Sequence, residues 1–187
     1  MNAPVDCSHL ILETPRLRLR PWRMEDLADF NPYASVDGVG QMAGWSPHRS
    51  MQESRKILQM FIDEKKTLAL ELRQTGQVIG SLGLECCSAL PDSSYETLLG
   101  REIGYVLSKE FWGQGLMPEA VQRVISWCFE ELEMDFLTCG HFVWNQQSRR
   151  VIEKCGFVYC RQTDYQTRMG THEETCLFVL KNPGKCF

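Results

Sequence analysis

The sequence predicts an α/β fold, in its α+β form with a mixed sheet, and three observations carry that expectation. Apolar residues alternate at period two in some stretches and recur every three to four residues in others, which gives the order β-α-α-β-β-β-α-β-α-β-β. One strand–helix–strand unit lies in the middle of that order, and mixed order of this kind argues for a mixed sheet. The 187 residues are 43% apolar and 24% charged, as in an ordinary globular domain. No linker-like stretch separates two cores, so residues 1–187 are expected to form a single domain.

The first strand is the strictly alternating Arg16-Leu-Arg-Leu-Arg20, read as half-exposed and ended by Pro21. A short helix follows from Met24 to about Phe30, with Leu27 and Phe30 three apart. Residues 33–47 read as irregular, with three glycines, Pro47 and an exposed-looking Trp45. Ser50 caps a helix reaching about Glu64, with Glu53 at the capping-box position and a stripe of Ile57, Leu58, Phe61 and Ile62. Residues 67–72 and 77–85 flank a Gly76 turn as an antiparallel hairpin. A polar loop spans residues 86–100, and residues 101–107 form another strand. The next helix runs from Pro118 to about Leu132, with Val121, Ile125, Cys128 and Leu132 on its core face. Residues 136–143 are a strand, and residues 147–154 are a helix stopped by Gly156. The last strands, from 157 to about 163 and from 175 to 180, enclose a polar loop around Gly170.

Composition excludes several function classes. A formal net charge of −4 argues against a dedicated nucleic-acid binder. No apolar run is long enough to span a bilayer, so no membrane partner is expected. The first ten residues lack the basic and apolar regions of a signal peptide, which makes the cytoplasm the expected location. The nine cysteines include no C-x-x-C pair, so they read as free thiols, several packed as small hydrophobes, rather than as a metal or disulfide framework. Cys139 and His141 share one face of a strand, but two ligands make no metal site, and no metal is expected.

The most informative stretch is residues 105–120. An apolar strand runs into Gly113 and Gly115, and a helix opens at once with Pro118 in its first turn. Unpaired N–H groups at such a junction, with the positive end of the helix dipole, suit an anion such as a phosphate. Glycine lets a ligand approach the backbone closely. Neither the P-loop ending nor the three-glycine dinucleotide pattern is present, and a tight turn without a ligand remains the alternative reading.

The run Arg101-Glu-Ile-Gly-Tyr-Val-Leu107 followed by Phe111-Trp-Gly-Gln-Gly-Leu-Met-Pro-Glu-Ala120 resembles the acetyl-CoA motif of the GNAT N-acetyltransferase superfamily. Asn145-Gln-Gln-Ser-Arg-Arg-Val-Ile-Glu-Lys-Cys-Gly-Phe157 is similar to its second motif. Glu13-Thr-Pro-Arg-Leu-Arg-Leu-Arg-Pro21 resembles the first strand of the ribosomal-protein N-terminal acetyltransferase branch. The resemblance implies a central twisted, mostly antiparallel sheet with a splayed parallel pair and flanking helices. It implies acetyl-CoA as cosubstrate and direct acetyl transfer to a primary amine, either a protein N-terminus or a small amine.

By resemblance, Trp112, Gly113, Gln114, Gly115, Leu116 and Met117 hold the pyrophosphate through backbone N–H groups. Tyr105, Val106 and Leu107 offer backbone to the pantetheine arm, and Asn145 contacts the cofactor or orders the splay. Glu102 is the candidate base, directly or through water, with a strand-edge carboxylate paired with Arg101 or solvent as the alternative. The tyrosine the family often uses as the acid is replaced by Ile152, so Ser148 is the candidate acid and cofactor contact, or else a helix cap. Trp112 and Met117 depart from the family's usual residues, which removes side-chain help to the phosphates and narrows the pocket. Acceptor recognition is assigned by position to Tyr33, Trp45, His48 and the 86–100 loop; His141 either faces the site or is structural, and Trp22, Trp127 and Trp144 read as core or rim packing. A non-catalytic acyl-CoA-binding module on the same fold is the competing hypothesis, and a homodimer is left open.

Overall fold

The computed structural model describes residues 1–185, so Cys186 lies outside the described residues. Eight strands form one sheet in the order β1-β2-β3-β4-β5-β6-β8-β7. The strands are β1 (Leu12–Glu13), β2 (Leu17–Pro21), β3 (Thr67–Leu72), β4 (Val78–Glu85), β5 (Gly100–Leu107), β6 (Phe136–Phe142), β7 (Val158–Gln166) and β8 (His172–Lys181). The helices are α1 (Leu27–Ala34), α2 (Met51–Glu64), α3 (Leu116–Glu130) and α4 (Gln146–Lys154). Every strand pair is antiparallel except β5–β6, which α3 connects as a crossover. The expected mixed sheet with one parallel pair is therefore present.

Each face of the sheet carries its own core. The larger packs Leu17, Leu19, Leu70, Leu82 and Ile103 against Val121, Val124 and Cys128 of α3 and Ile152 of α4. The second joins Trp22, Leu27, Phe30 and Tyr33 to Leu58 of α2, with Phe30 meeting Trp22 and Tyr33 edge to face. The predicted stripes of α2 and α3 are thus the faces that pack, as amphipathic periodicity requires.

Boundaries differ where local chemistry wins over pattern. The two-residue β1 is too short to leave a periodicity. Residues 24–26 form a 3-10 turn, and the helix proper is α1, which runs to Ala34 with Pro32 inside it. Helix α3 begins at Leu116, two residues before Pro118. Ser50 caps α2 as expected, accepting from the Glu53 N–H at 3.2 Å, but the Glu53 carboxylate reaches the Arg49 N–H rather than that of Ser50. The β7–β8 hairpin extends past both predicted strand ends, and only residues 167–171 connect it.

Strand β2 holds one surprise. Alternation makes Arg16, Arg18 and Arg20 an exposed set, yet Arg20 is only 4% exposed. Its guanidinium donates two bonds to Asp26, at 2.8 and 2.7 Å, and a third from Nε to Glu71 at 2.6 Å. The bonds to Asp26 first, with those to Glu71, raise the Arg20 pKa against the opposing cost of burial. Removing one partner strands a buried charge, which costs about 3–5 kcal/mol. Asp26→Ala is therefore expected to lose about that much in urea unfolding, and a loss below about 1 kcal/mol would contradict this account.

Candidate active site

Strand β5 is the backbone of the site. It pairs with β6 only at Gly100–Phe136, Arg101–Leu137 and Glu102–Thr138. Beyond Glu102, β5 stays with β4 through Leu107 while β6 stays with β8 through Phe142. The two parallel strands therefore diverge at Glu102, and the facing backbone edges of residues 103–107 and 139–142 do not pair with one another. One bond does cross the opening, the Cys139 thiol donating to the Ile103 carbonyl at 3.2 Å. Burial first holds that thiol well above its ordinary pKa and keeps it protonated.

At the end of β5 the chain turns through Gly113 and Gly115, both at φ +76°, a left-handed conformation that glycine adopts without strain. Gly115 directly precedes α3. The backbone N–H groups of residues 113–117 make no hydrogen bond to another described residue, but the Trp112 N–H expected to join them donates to the Lys109 carbonyl at 3.1 Å as the short turn before the loop closes, so it is not available to a phosphate. A Cβ built at Gly113 meets nothing within 4 Å, so the space beside that residue is open. The loop is pinned from behind by Arg16, whose Nη1 donates to the Gln114 carbonyl at 2.9 Å and whose Nε donates to Glu119 at 2.7 Å. Thr14 adds a hydroxyl donated to Glu119 at 2.6 Å. Burial pushes the Glu119 pKa up, but these bonds outweigh it and lower the net value, so the carboxylate stays charged beside Arg16.

This loop borders a groove of about 300 Å³ lined by Tyr105, Val106, Leu107, Trp112, Gly113, Gly115, Leu116, Met117, Asn145 and Ser148. All the predicted cofactor residues thus meet in one place except Gln114, whose side chain turns away to donate to the Glu110 carbonyl at 3.0 Å. The Trp112 indole N–H donates back to the Leu107 carbonyl at 2.7 Å. That carbonyl is consequently occupied, and within residues 105–107 the expectation of free backbone is narrowed accordingly. Met117 is 4% exposed and packs into the large core, so it closes the floor of the groove. Arg150 and Lys154, one turn apart on α4, add to the wall two cations that the motifs do not single out.

Asn145, not Ser148, caps α4, because its Oδ1 accepts from the Ser148 N–H at 3.1 Å. Its Nδ2 donates to the Met42 carbonyl at 3.3 Å. The Ser148 hydroxyl is thereby released from capping and lies 2.8 Å from the Tyr105 hydroxyl. Burial first raises the Tyr105 pKa well above its usual value, so that hydroxyl keeps its proton. Sequence marks Tyr105 for its backbone only, and nothing in its spacing from Ser148 signals the contact.

On the other face of the sheet lies a cleft of about 890 Å³ that includes Glu102, Tyr33, Trp45, His48, Cys86 and Ser88. It shares Met42, Tyr105, Val106 and Ser148 with the groove, so the two spaces join through the splay. Glu102 does not pair with Arg101, whose guanidinium donates instead to the Ala3 carbonyl at 2.6 Å. It accepts from the Ser88 N–H and hydroxyl, both at 2.7 Å and both on Oε2. No described residue bonds its Oε1. Burial first, with a smaller push from Glu85, raises the Glu102 pKa against the opposing Ser88 bonds. Trp45 is half-buried rather than exposed, stacked near His48 at 5.1 Å. Trp22 and Trp127 are core, whereas Trp144 is exposed and donates its indole N–H to Glu173 at 3.0 Å. No group of three or more His, Cys, Asp or Glu able to hold a metal occurs among the described residues. Among the described residues no helix is long and apolar enough to cross a membrane.

Comparison with known proteins matches residues 16–158 to the acetyltransferase (GNAT) domain. The uncharacterized N-acetyltransferase YoaA of Bacillus subtilis is 29% identical over 181 residues, covering 92% of this chain and 97% of that protein. Among solved structures, a ribosomal-protein-S5-alanine acetyltransferase from Vibrio fischeri superposes with a TM-score of 0.71 at 19% identity, covering 93% and 97% of the two chains. The microcin C7 self immunity acetyltransferase MccE, solved with acetyl-CoA and AMP, gives 0.72 at 14% identity, covering 90% and 93%. At those identities the two structures establish the fold alone.

Proposed function

Because the chain belongs to the GNAT family and is an acetyltransferase, we propose that it moves an acetyl group directly from acetyl-CoA to a primary amine, acting as a single domain. The observation that carries this reading is the parting of β5 and β6 at Glu102, where the groove and the cleft meet. The residues present suit the donor: unpaired N–H groups at 113–117 match a pyrophosphate, and the open β5 and β6 edges match an amide-bearing arm. Acetyl-CoA, when bound, supplies the activated thioester carbonyl.

The chain's own residues divide the remaining work. An amine enters mainly as its ammonium at neutral pH and cannot attack until it loses a proton. Glu102 takes that proton on Oε1, while Ser88 holds Oε2 and fixes the carboxylate toward the cleft. Ser148, freed from capping by Asn145, offers its hydroxyl to the departing sulfur, and Tyr105 orients it. The acceptor is a protein N-terminus or a small amine, and because one protein of the same fold is a ribosomal-protein-S5-alanine acetyltransferase, peptide N-termini are the first class to test.

The test is CoA release from acetyl-CoA with a panel of peptide N-termini, diamines, amino sugars and amino acids, read by mass spectrometry because the chain's own thiols would consume a thiol reagent. Amine-dependent CoA release is expected. Acetyl-CoA binding with no release across the panel would defeat the reading.

A further inference from the structure

The floor of the cleft holds a second carboxylate that the proposed mechanism does not use. Glu85 on β4 stands directly opposite Glu102 on β5, and the neighbouring pair in the same register and on the same face is Gly83 opposite Gly104. A Cβ built at Gly104 meets nothing within 4 Å, so the sheet there is bare. A Cβ built at Gly83 would lie 2.9 Å from Glu85 Oε1 and 3.3 Å from Thr67 Oγ1, so both oxygens converge above that glycine. Thr67 is 6% exposed and its hydroxyl oxygen has no hydrogen-bond partner. Folding normally avoids both features, because directly opposed like charges repel and a buried orphan hydroxyl has lost its water. Both become favourable if a cation with several N–H donors sits between them.

We propose that Glu85 and the Thr67 hydroxyl form the seat for the acceptor's ammonium beside Glu102, so that the acceptor enters as a primary ammonium ion over the bare floor at Gly104 toward the two oxygens above Gly83. Glu85 is a binding residue here: it holds the charge, and Glu102 removes the proton. The inference rests on the acetyltransferase reading for the chemical step after binding, but not for binding itself. Lys66 moderates the seat, since its ammonium already bridges Glu85 at 2.7 Å and Glu64 at 3.1 Å. The acceptor displaces part of that bridge, and this gives the proposal a sign that a structural role would not share.

The test is titration of n-propylammonium chloride into the purified full-length protein, followed by NMR shifts, with n-propanol as the uncharged control. Glu85→Gln is expected to weaken n-propylammonium binding about tenfold, as loss of a charge-assisted bond implies. Thr67→Val is expected to weaken it about threefold. Lys66→Met is expected to tighten it, because Glu85 is then released. If Glu85 mattered only through its bridge to Lys66, Lys66→Met would weaken binding in parallel with Glu85→Gln, and that result overturns the proposal. So does an unchanged affinity in Glu85→Gln, equal binding of n-propanol, or no binding to the unaltered protein. This pattern without amine-dependent CoA release would leave the seat standing and remove acetyl transfer. Amine-dependent CoA release with a Glu85→Gln KM equal to the unaltered protein's would do the reverse.

Discussion

Glu102→Gln is expected to lower kcat by about 100-fold or more while leaving acetyl-CoA affinity within about twofold, because the carboxylate faces the cleft and its loss removes a general base. The rate of the unaltered protein should rise with pH through a limb above the ordinary glutamate value of 4.5, since burial first, and Glu85 second, raise the Glu102 pKa. A base works only when deprotonated, so activity is lost as pH falls through that raised value. The same shift fixes a stability sign. The folded chain holds this proton more tightly than the unfolded chain, so Glu102's contribution to stability is present below the unfolded pKa and is lost as pH rises through the folded one. At neutral pH the residue is therefore a liability, and Glu102→Gln should melt no lower than the parent protein in a thermal scan. Full activity in Glu102→Gln would remove the assigned base, and a lower melting temperature would show that the carboxylate stabilises rather than strains the fold.

Gly113→Ala is expected to raise the acetyl-CoA Kd about tenfold or more, with Gly115→Ala as its internal comparison. Both glycines sit at φ +76°, so alanine at either costs about 1–2 kcal/mol in backbone strain. The Cβ positions differ. At Gly113, which lines the groove, the methyl meets no atom within 4 Å and so adds bulk to space a bound anion would use. At Gly115 it turns toward Arg16, whose Nη2 lies 3.6 Å away. Stability should fall alike in the two variants, while affinity, measured by calorimetry, falls more in Gly113→Ala. Equal affinity losses would mean that strain alone, rather than access to the backbone, governs the loop.

Much of the fold is readable from spacing. The stripes Ile57, Leu58, Phe61 on α2 and Val121, Ile125, Cys128 on α3 repeat at helical intervals and pack where that interval places them. The glycines at 113 and 115 mark the loop, because few other residues accept its dihedrals. The 101–107 and 145–157 motifs carry the fold, the splayed pair and the cosubstrate class. Arg20 escapes such a reading, since alternation reports which side of a strand a residue faces and not whether a carboxylate waits there.

Local pattern along the chain sets the order of the longer elements and marks the glycine loop, and the family resemblance marks Glu102, Asn145 and Ser148 as candidates. What those residues touch emerges from the folded arrangement. It gave the capping role to Asn145 and freed Ser148 for Tyr105, 43 positions away. It set Ser88 rather than Arg101 on Glu102, and it brought Glu85 opposite Glu102 with Thr67 beside it. The physical reason is that periodicity and turn chemistry act over a few residues, whereas strand register and side-chain partners are settled by packing between segments far apart in the chain.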